Sequence, residues 1–127
     1  MKLHTFAIAC ALLIGPAAAI AHGGTPPAPA HGGQMQEVAE HWVELVTKGD
    51  QLTVYVSEPD NKPLPAKEWS GKATVLVGGK TEAVALTPGE GNSATGRLSA
   101  PAAGKMTAVI QLTLDGKPAQ ARFATSQ

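Results

Sequence analysis

The feature that most constrains the fold is a series of short β-type segments separated by turn residues, from about residue 38 to residue 124. Segment 52–56 alternates apolar and polar residues, which is the period of a half-buried strand. The pairs Gly78-Gly79 and Asp115-Gly116 predict tight hairpins. About seven strands at such short spacing indicate an all-β fold. We predict a single antiparallel β-sandwich, immunoglobulin-like, with a small barrel as the alternative, because no helical segments are available for parallel β-α-β units.

Segment 36–48 fits two structures. Val38, Trp42 and Leu45 have the spacing of an apolar helix face, whereas 42–46 also suits a strand leading into the turn Lys48-Gly49-Asp50. We favour the strand, since every later segment is β and a hairpin to 52–56 follows directly. The other expected strands are 73–77, 81–86, 94–98, 106–114 and 119–124, the last with Phe123 inside.

The first 21 residues have the order of a secretory signal peptide. Lys2 provides a basic start, residues 6–14 form an apolar stretch, and 19–21 is an A-x-A cleavage signature. The stretch is too short to span a bilayer. We therefore expect a periplasmic protein whose mature chain begins at His22, or two residues earlier if cleavage follows the second A-x-A at 17–19.

A segment rich in glycine and proline, residues 22–35, separates the signal peptide from the β-type segments. Few of its side chains could enter a core, which predicts a flexible N-terminal arm. The string His-Gly-Gly occurs twice in it, at 22–24 and at 31–33. The β-sandwich domain then occupies residues 36–127, a length that suits one small domain.

Charge and cysteine content exclude several classes of function. Loss of Lys2 with the signal peptide leaves nine basic and ten acidic residues, a net charge of about −1, and no basic stripe for nucleic acid or anionic lipid. Cys10, the single cysteine, also leaves, so the mature chain has no disulfide or thiolate site. We expect Glu37, Glu40 and Glu44 on a solvated charged face, with oxygen ligation of a harder metal as the alternative. No credible catalytic constellation is present, and an enzyme is not expected.

Candidate metal ligands cluster at the start of the mature chain, and they are His22, His31, Met35 and His41. An N-terminal His22 can chelate a metal through its amine and its imidazole. Imidazoles suit copper, nickel and zinc, and a thioether adds preference for copper(I). We predict a copper ion, or another divalent metal such as nickel or zinc, with His22 and His31 as primary ligands and Met35 and His41 as auxiliaries. For His41, a partly buried position at a strand end is an equally supported alternative. For Met35, the favoured alternative is a position at the core edge or in solvent.

Several strings of the chain resemble a recurrent exported domain. They are His31-Gly32-Gly33-Gln34, Glu44-Leu45-Val46, 52–56, the Pro-containing turn 61–64, and 71–76. Together they are similar to small periplasmic proteins and adaptor-associated domains encoded with heavy-metal efflux systems of Gram-negative bacteria. The resemblance covers most of 31–124 and implies a periplasmic role in handling copper or other divalent metals. It implies a role for His31 first, whereas His22 has no counterpart in the pattern.

Two functions from different classes follow. The first is a periplasmic metal-binding protein that buffers copper or delivers it to an efflux system, with no membrane span after signal cleavage. Affinity should then fall at low pH, because protonated imidazole cannot coordinate a metal. The second is an envelope interaction module without a metal site, in which the sandwich edge or the loop at Trp69 docks a partner and the arm is only a tether.

Overall fold

The computed structural model describes residues 25–126 of the chain. The expected signal peptide and His22 lie outside these residues. Within them the chain forms nine strands and one 3₁₀ turn, Ala66–Glu68. The strands are β1 (Gln34–Val38), β2 (His41–Lys48), β3 (Gln51–Ser57), β4 (Trp69–Val77), β5 (Lys80–Ala85), β6 (Thr87–Pro88), β7 (Ser93–Arg97), β8 (Lys105–Leu114) and β9 (Lys117–Ser126).

The strands form two antiparallel sheets, which confirms the predicted β-sandwich. One sheet has the order β1-β2-β3-β7-β6, and the other has the order β5-β4-β8-β9. The two sheets also meet at one edge, where the side-chain Nε2 of Gln34 on β1 donates to the carbonyl of Ala124 on β9 at 3.0 Å. Among residues 25–126, no helix is long and apolar enough to cross a bilayer.

Strand alternation explains the core between the sheets. On β3, Leu52, Val54 and Val56 are fully buried, whereas the residues between them are partly exposed. Phe123 on β9 is 1% exposed, as its apolar character predicts. Trp69 begins β4 and is 5% exposed, with its Nε1 donating to the carbonyl of Leu64 at 3.2 Å. The Trp69 ring therefore packs within the core and is not exposed on a loop.

The β2–β3, β4–β5 and β8–β9 connections are the hairpins that the sequence predicts, and segment 36–48 contains strands and no helix. Two strands were not expected. The dipeptide β6 pairs with β7, and β1 pairs with β2 along its whole length. Because β1 begins at Gln34, the first strand starts two residues before the expected domain boundary at residue 36. Gln34 and Met35 therefore belong to the sheet and not to the arm.

Candidate functional site

The segment 31–33 lies over the outer face of β2 and is held there by one carboxylate. Both oxygens of Glu44 accept the backbone N–H of His31, at 3.2 Å and 3.0 Å, and Oε2 accepts the N–H of Gly33 at 3.0 Å. The ring Nδ1 of His31 lies 2.9 Å from Oε1 of the same carboxylate. Glu44 thus holds both the backbone and the side chain of His31 in place.

Glu44 is only 3% exposed, so the expectation that it lies on a solvated charged face is wrong. Its neighbours Val43 and Leu45 point into the core, which places Glu44 on the outer face of the sheet. Segment 31–33 covers this outer position and removes the carboxylate from water. A buried charge is tolerated only where hydrogen bonds replace its hydration, and the N–H groups of His31 and Gly33 supply them.

The absence of a side chain at Gly33 allows this close approach. A Cβ atom built there would lie 2.3 Å from the carbonyl oxygen of Leu45, which is backbone and cannot swing away. Gly32 meets a different requirement, since its φ of +74° lies in the left-handed region that glycine adopts without strain. The local structure therefore favours glycine at both positions of this string, Gly32 because of its φ and Gly33 because of its close approach to β2.

The ring of His31 also stacks on Tyr55. Their centroids are 3.6 Å apart and the planes differ by 5°. Tyr55 on β3 is the register partner of Glu44 on β2, so the stacking ring and the carboxylate lie side by side on the same face. Because a carboxylate can only accept, Nδ1 of His31 carries the proton and Nε2 of the neutral ring carries a lone pair. The His31 side chain is 41% exposed.

Met35 and His41 lie on different faces of this sheet. Met35 is the register partner of Glu44 and is therefore placed beside the same carboxylate as His31. His41 has the strand parity of Val43 and points inward at the end of the sandwich, where it is 8% exposed. The structure brings His31 and Met35 to one face and separates His41 from them.

Within residues 25–126, no three histidine, cysteine or acidic side chains are grouped closely enough to hold a metal ion. His22, the other expected primary ligand, lies outside the described residues. Sequence reasoning missed Tyr55 as part of this site, and it did not foresee Glu44 as the acceptor that holds His31. The available signal was the position of Glu44 between Trp42 and Val46, which are partly buried on the same face of β2.

No protein-family model matches the chain, and no curated protein or solved structure is significantly similar to it. The functional argument therefore depends on the geometry of this chain alone.

Proposed function

We propose that this protein is a periplasmic metal-binding protein that takes copper and either buffers it or delivers it to an efflux system. The observation that carries the proposal is the 2.9 Å contact between Nδ1 of His31 and Oε1 of the buried Glu44. Histidines that bind metals commonly donate one ring N–H to a carboxylate, which fixes the tautomer and makes the other nitrogen a better ligand. His31 has this arrangement, and Nε2 is the nitrogen left to coordinate.

Two further features support His31 as a ligand. The stack on Tyr55 and the bond to Glu44 restrain the ring, so little rotamer entropy remains to be lost when a metal binds. Its 41% exposed side chain leaves the ring accessible from solvent. A ring that served only to fasten segment 31–33 would need the same contacts, so a metal titration is required to separate the two roles.

Copper is proposed from the chemistry of the ligands. Imidazole nitrogen suits copper(II), and the thioether of Met35 on the same face favours copper(I). His22, through its terminal amine and imidazole, completes the proposed set from outside the described residues. His41 is left out of this set because it points to the opposite face of the sheet. The proposed action is binding and release, without making or breaking covalent bonds in a substrate.

The test is a copper(II) titration of the exported chain and of its His31→Gln variant, followed by EPR. We expect one tight site with nitrogen hyperfine structure that His31→Gln weakens by at least tenfold. Glu37→Gln is the matched control, because Glu37 is an exposed residue of β1 that is not among the hydrogen-bond partners of His31. Equal copper(II) affinity in the wild type and in His31→Gln would mean that segment 31–33 has only a structural role. It would favour the interaction-module alternative.

A further inference from the structure

One face of the sandwich is left uncovered by the rest of the described chain. Val75 on β4 and Ile110 on β8 are fully buried, so the residues next to them point to the outside of this sheet. On β4 and β8, and on β9 as far as residue 124, these outward residues are all exposed or half-buried. We call them the β4-β8-β9 face, which extends from Ser70, Thr113 and Pro118 at one end to Lys105 at the other. The face belongs to the sheet opposite segment 31–33, so its ligand is independent of the proposed metal site.

The charges on this face have one sign. It carries Lys72, Lys105 and Arg122, and none of the chain's ten acidic residues. The acids nearest to it in sequence, Glu68 and Asp115, lie beyond the ends of β4 and β8. Within residues 25–126 the three cations form no ion pair. The face is thus positive on a chain whose basic and acidic residues are equal in number, which favours an anionic ligand.

A concave part of the face encloses a space of about 670 Å³. Its polar lining consists of Ser70, Lys72, Gln111, Thr113 and Gln120. In the described part of the chain, none of these five side chains makes a hydrogen bond. Hydroxyl and carboxamide groups can both donate and accept, as the hydroxyls of a sugar do. The concave part therefore offers one cation and four neutral groups that suit a carbohydrate.

Strand register sets the spacing of these groups. Lys72, Gln111 and Gln120 are successive partners across β4, β8 and β9, and Arg122 lies in the next outward row. Since neighbouring strands are about 4.8 Å apart and successive outward residues about 6.8 Å, the Cα atoms of Lys72 and Arg122 are about 12 Å apart. Gln111 lies on the strand between them. An extended ligand with negative groups at intervals can contact both cations and the carboxamides together.

Two features of the face disfavour other anionic partners. Pro118 on the edge strand β9 has no N–H, so a partner's strand cannot pair with the sheet at that point. Leu76 is the single large apolar residue found exposed among residues 25–126. The face therefore lacks the row of apolar side chains with which a protein enters the surface of a bilayer.

We propose that the β4-β8-β9 face binds an acidic polysaccharide of the uronate class. The guanidinium of Arg122 and the ammonium of Lys72 pair with carboxylates of different sugar units. Ser70, Gln111 and Thr113 exchange hydrogen bonds with the sugar hydroxyls between them. Because a single exposed ion pair contributes little, the affinity comes from several contacts along one polymer chain.

The probe is a hexamer of mannuronate, added to the 15N-labelled full chain and followed by NMR. We expect saturable shifts at residues 70–74, 109–113 and 118–122, and affinity that falls as salt rises. Maltohexaose has the sugar hydroxyls without the charge and should produce no saturable shift. Hexaglutamate has the charge without the hydroxyls and should bind at least fivefold more weakly than the mannuronate hexamer.

Lys72→Gln/Arg122→Gln removes two charges from the face without changing the core. We expect the affinity for the mannuronate hexamer to fall at least fivefold. The control Lys48→Gln/Lys62→Gln changes the net charge equally at exposed positions outside the face, and it should bind like the wild type. Thermal unfolding of both variants establishes that they are folded.

Gln111→Met/Thr113→Val tests the neutral groups, because it removes hydrogen-bonding atoms and keeps the side-chain shapes. We expect at least threefold weaker binding of the mannuronate hexamer and unchanged binding of hexaglutamate. Unchanged mannuronate affinity in either face variant, or equal affinity for hexaglutamate in the wild type, would overturn the proposal. Absence of saturable shifts with the mannuronate hexamer would also overturn it, and so would the same shifts with phosphatidylglycerol vesicles, which would assign the face to a membrane.

Discussion

Nδ1 of His31 lies 2.9 Å from Oε1 of Glu44, and the backbone N–H of the same histidine donates to the same carboxylate. One buried acid therefore controls both the path of the chain and the tautomer of the ring. The sheet provides the acid, and the residues before β1 provide the histidine. The ring nitrogen that faces away from the acid is the atom on which the proposed metal chemistry depends.

Glu44→Gln should loosen segment 31–33. Glutamine offers one oxygen where the carboxylate offers two, and its NH₂ group would face N–H donors. Since a hydrogen bond to a charged group contributes about 1.5–3 kcal/mol, we expect the free energy of unfolding to fall by about 1–3 kcal/mol. Urea unfolding measures this loss. Glu37→Gln, an exposed change on the neighbouring strand, should stay within about 0.5 kcal/mol of the wild type, and an equal loss in both variants would contradict the assignment.

Gly33→Ala should displace segment 31–33 from the sheet. The new Cβ would lie 2.3 Å from the Leu45 carbonyl, and the segment can move more easily than β2. We expect loss of hydrogen-exchange protection at the His31 and Gly33 amides, with the core amides unchanged. Gly32→Ala is the comparison, because it meets no atom within 4 Å and is strained only by its φ of +74°. Protection that survives Gly33→Ala would show that the close approach is not required.

Tyr55→Leu should remove the stacking partner of His31 while it retains an apolar residue on β3. Aromatic pairs contribute about 0.5–1.5 kcal/mol beyond their buried area, and we expect a loss of that size in urea unfolding. We also expect the ring-current shift of the His31 protons to disappear from the NMR spectrum. Tyr55→Phe keeps the ring and should preserve both properties. A wild-type His31 spectrum in Tyr55→Leu would contradict the stack.

Phe123→Ala should test the core between the two sheets. Truncation of a buried phenylalanine typically costs about 3–5 kcal/mol, and Phe123 is 1% exposed. Leu76→Ala is the control on the outer face of the same sheet, where Leu76 is 45% exposed. Its effect should be within about 0.5 kcal/mol of zero. Similar losses for the two variants in chemical denaturation would contradict the burial that the fold requires.

The sequence predicts the architecture well because strand alternation and turn chemistry are local. Segment 52–56 and the Asp115-Gly116 hairpin appear as expected. The strand β1 was missed because its apolar content is low, and pairing with β2 and the Gln34 contact to β9 hold it in place. Such a strand forms because of its pairing partner, and its own residues show little of the strand pattern.

The candidate site was predicted only in part. Composition identifies His31 and Met35 as metal-ligand types, but the covering of Glu44 depends on how segment 31–33 folds back over β2, which no local pattern encodes. His41 lies near His31 in sequence, and strand parity alone sends it to the opposite face. Its observed position matches the alternative of a buried histidine at a strand end.

The most direct test of the account is the NMR signal of His31 Nε2 during titration of the 15N-histidine-labelled chain beginning at His22 with zinc(II), a diamagnetic substitute for copper. We predict that Nε2 of His31 shifts to the position of a metal-bound imidazole at one equivalent, that Nδ1 keeps its proton bonded to Glu44, and that His41 is unaffected. A His31 signal unchanged at saturating zinc, together with no copper(II) site in EPR, would contradict the assignment of this histidine as a metal ligand.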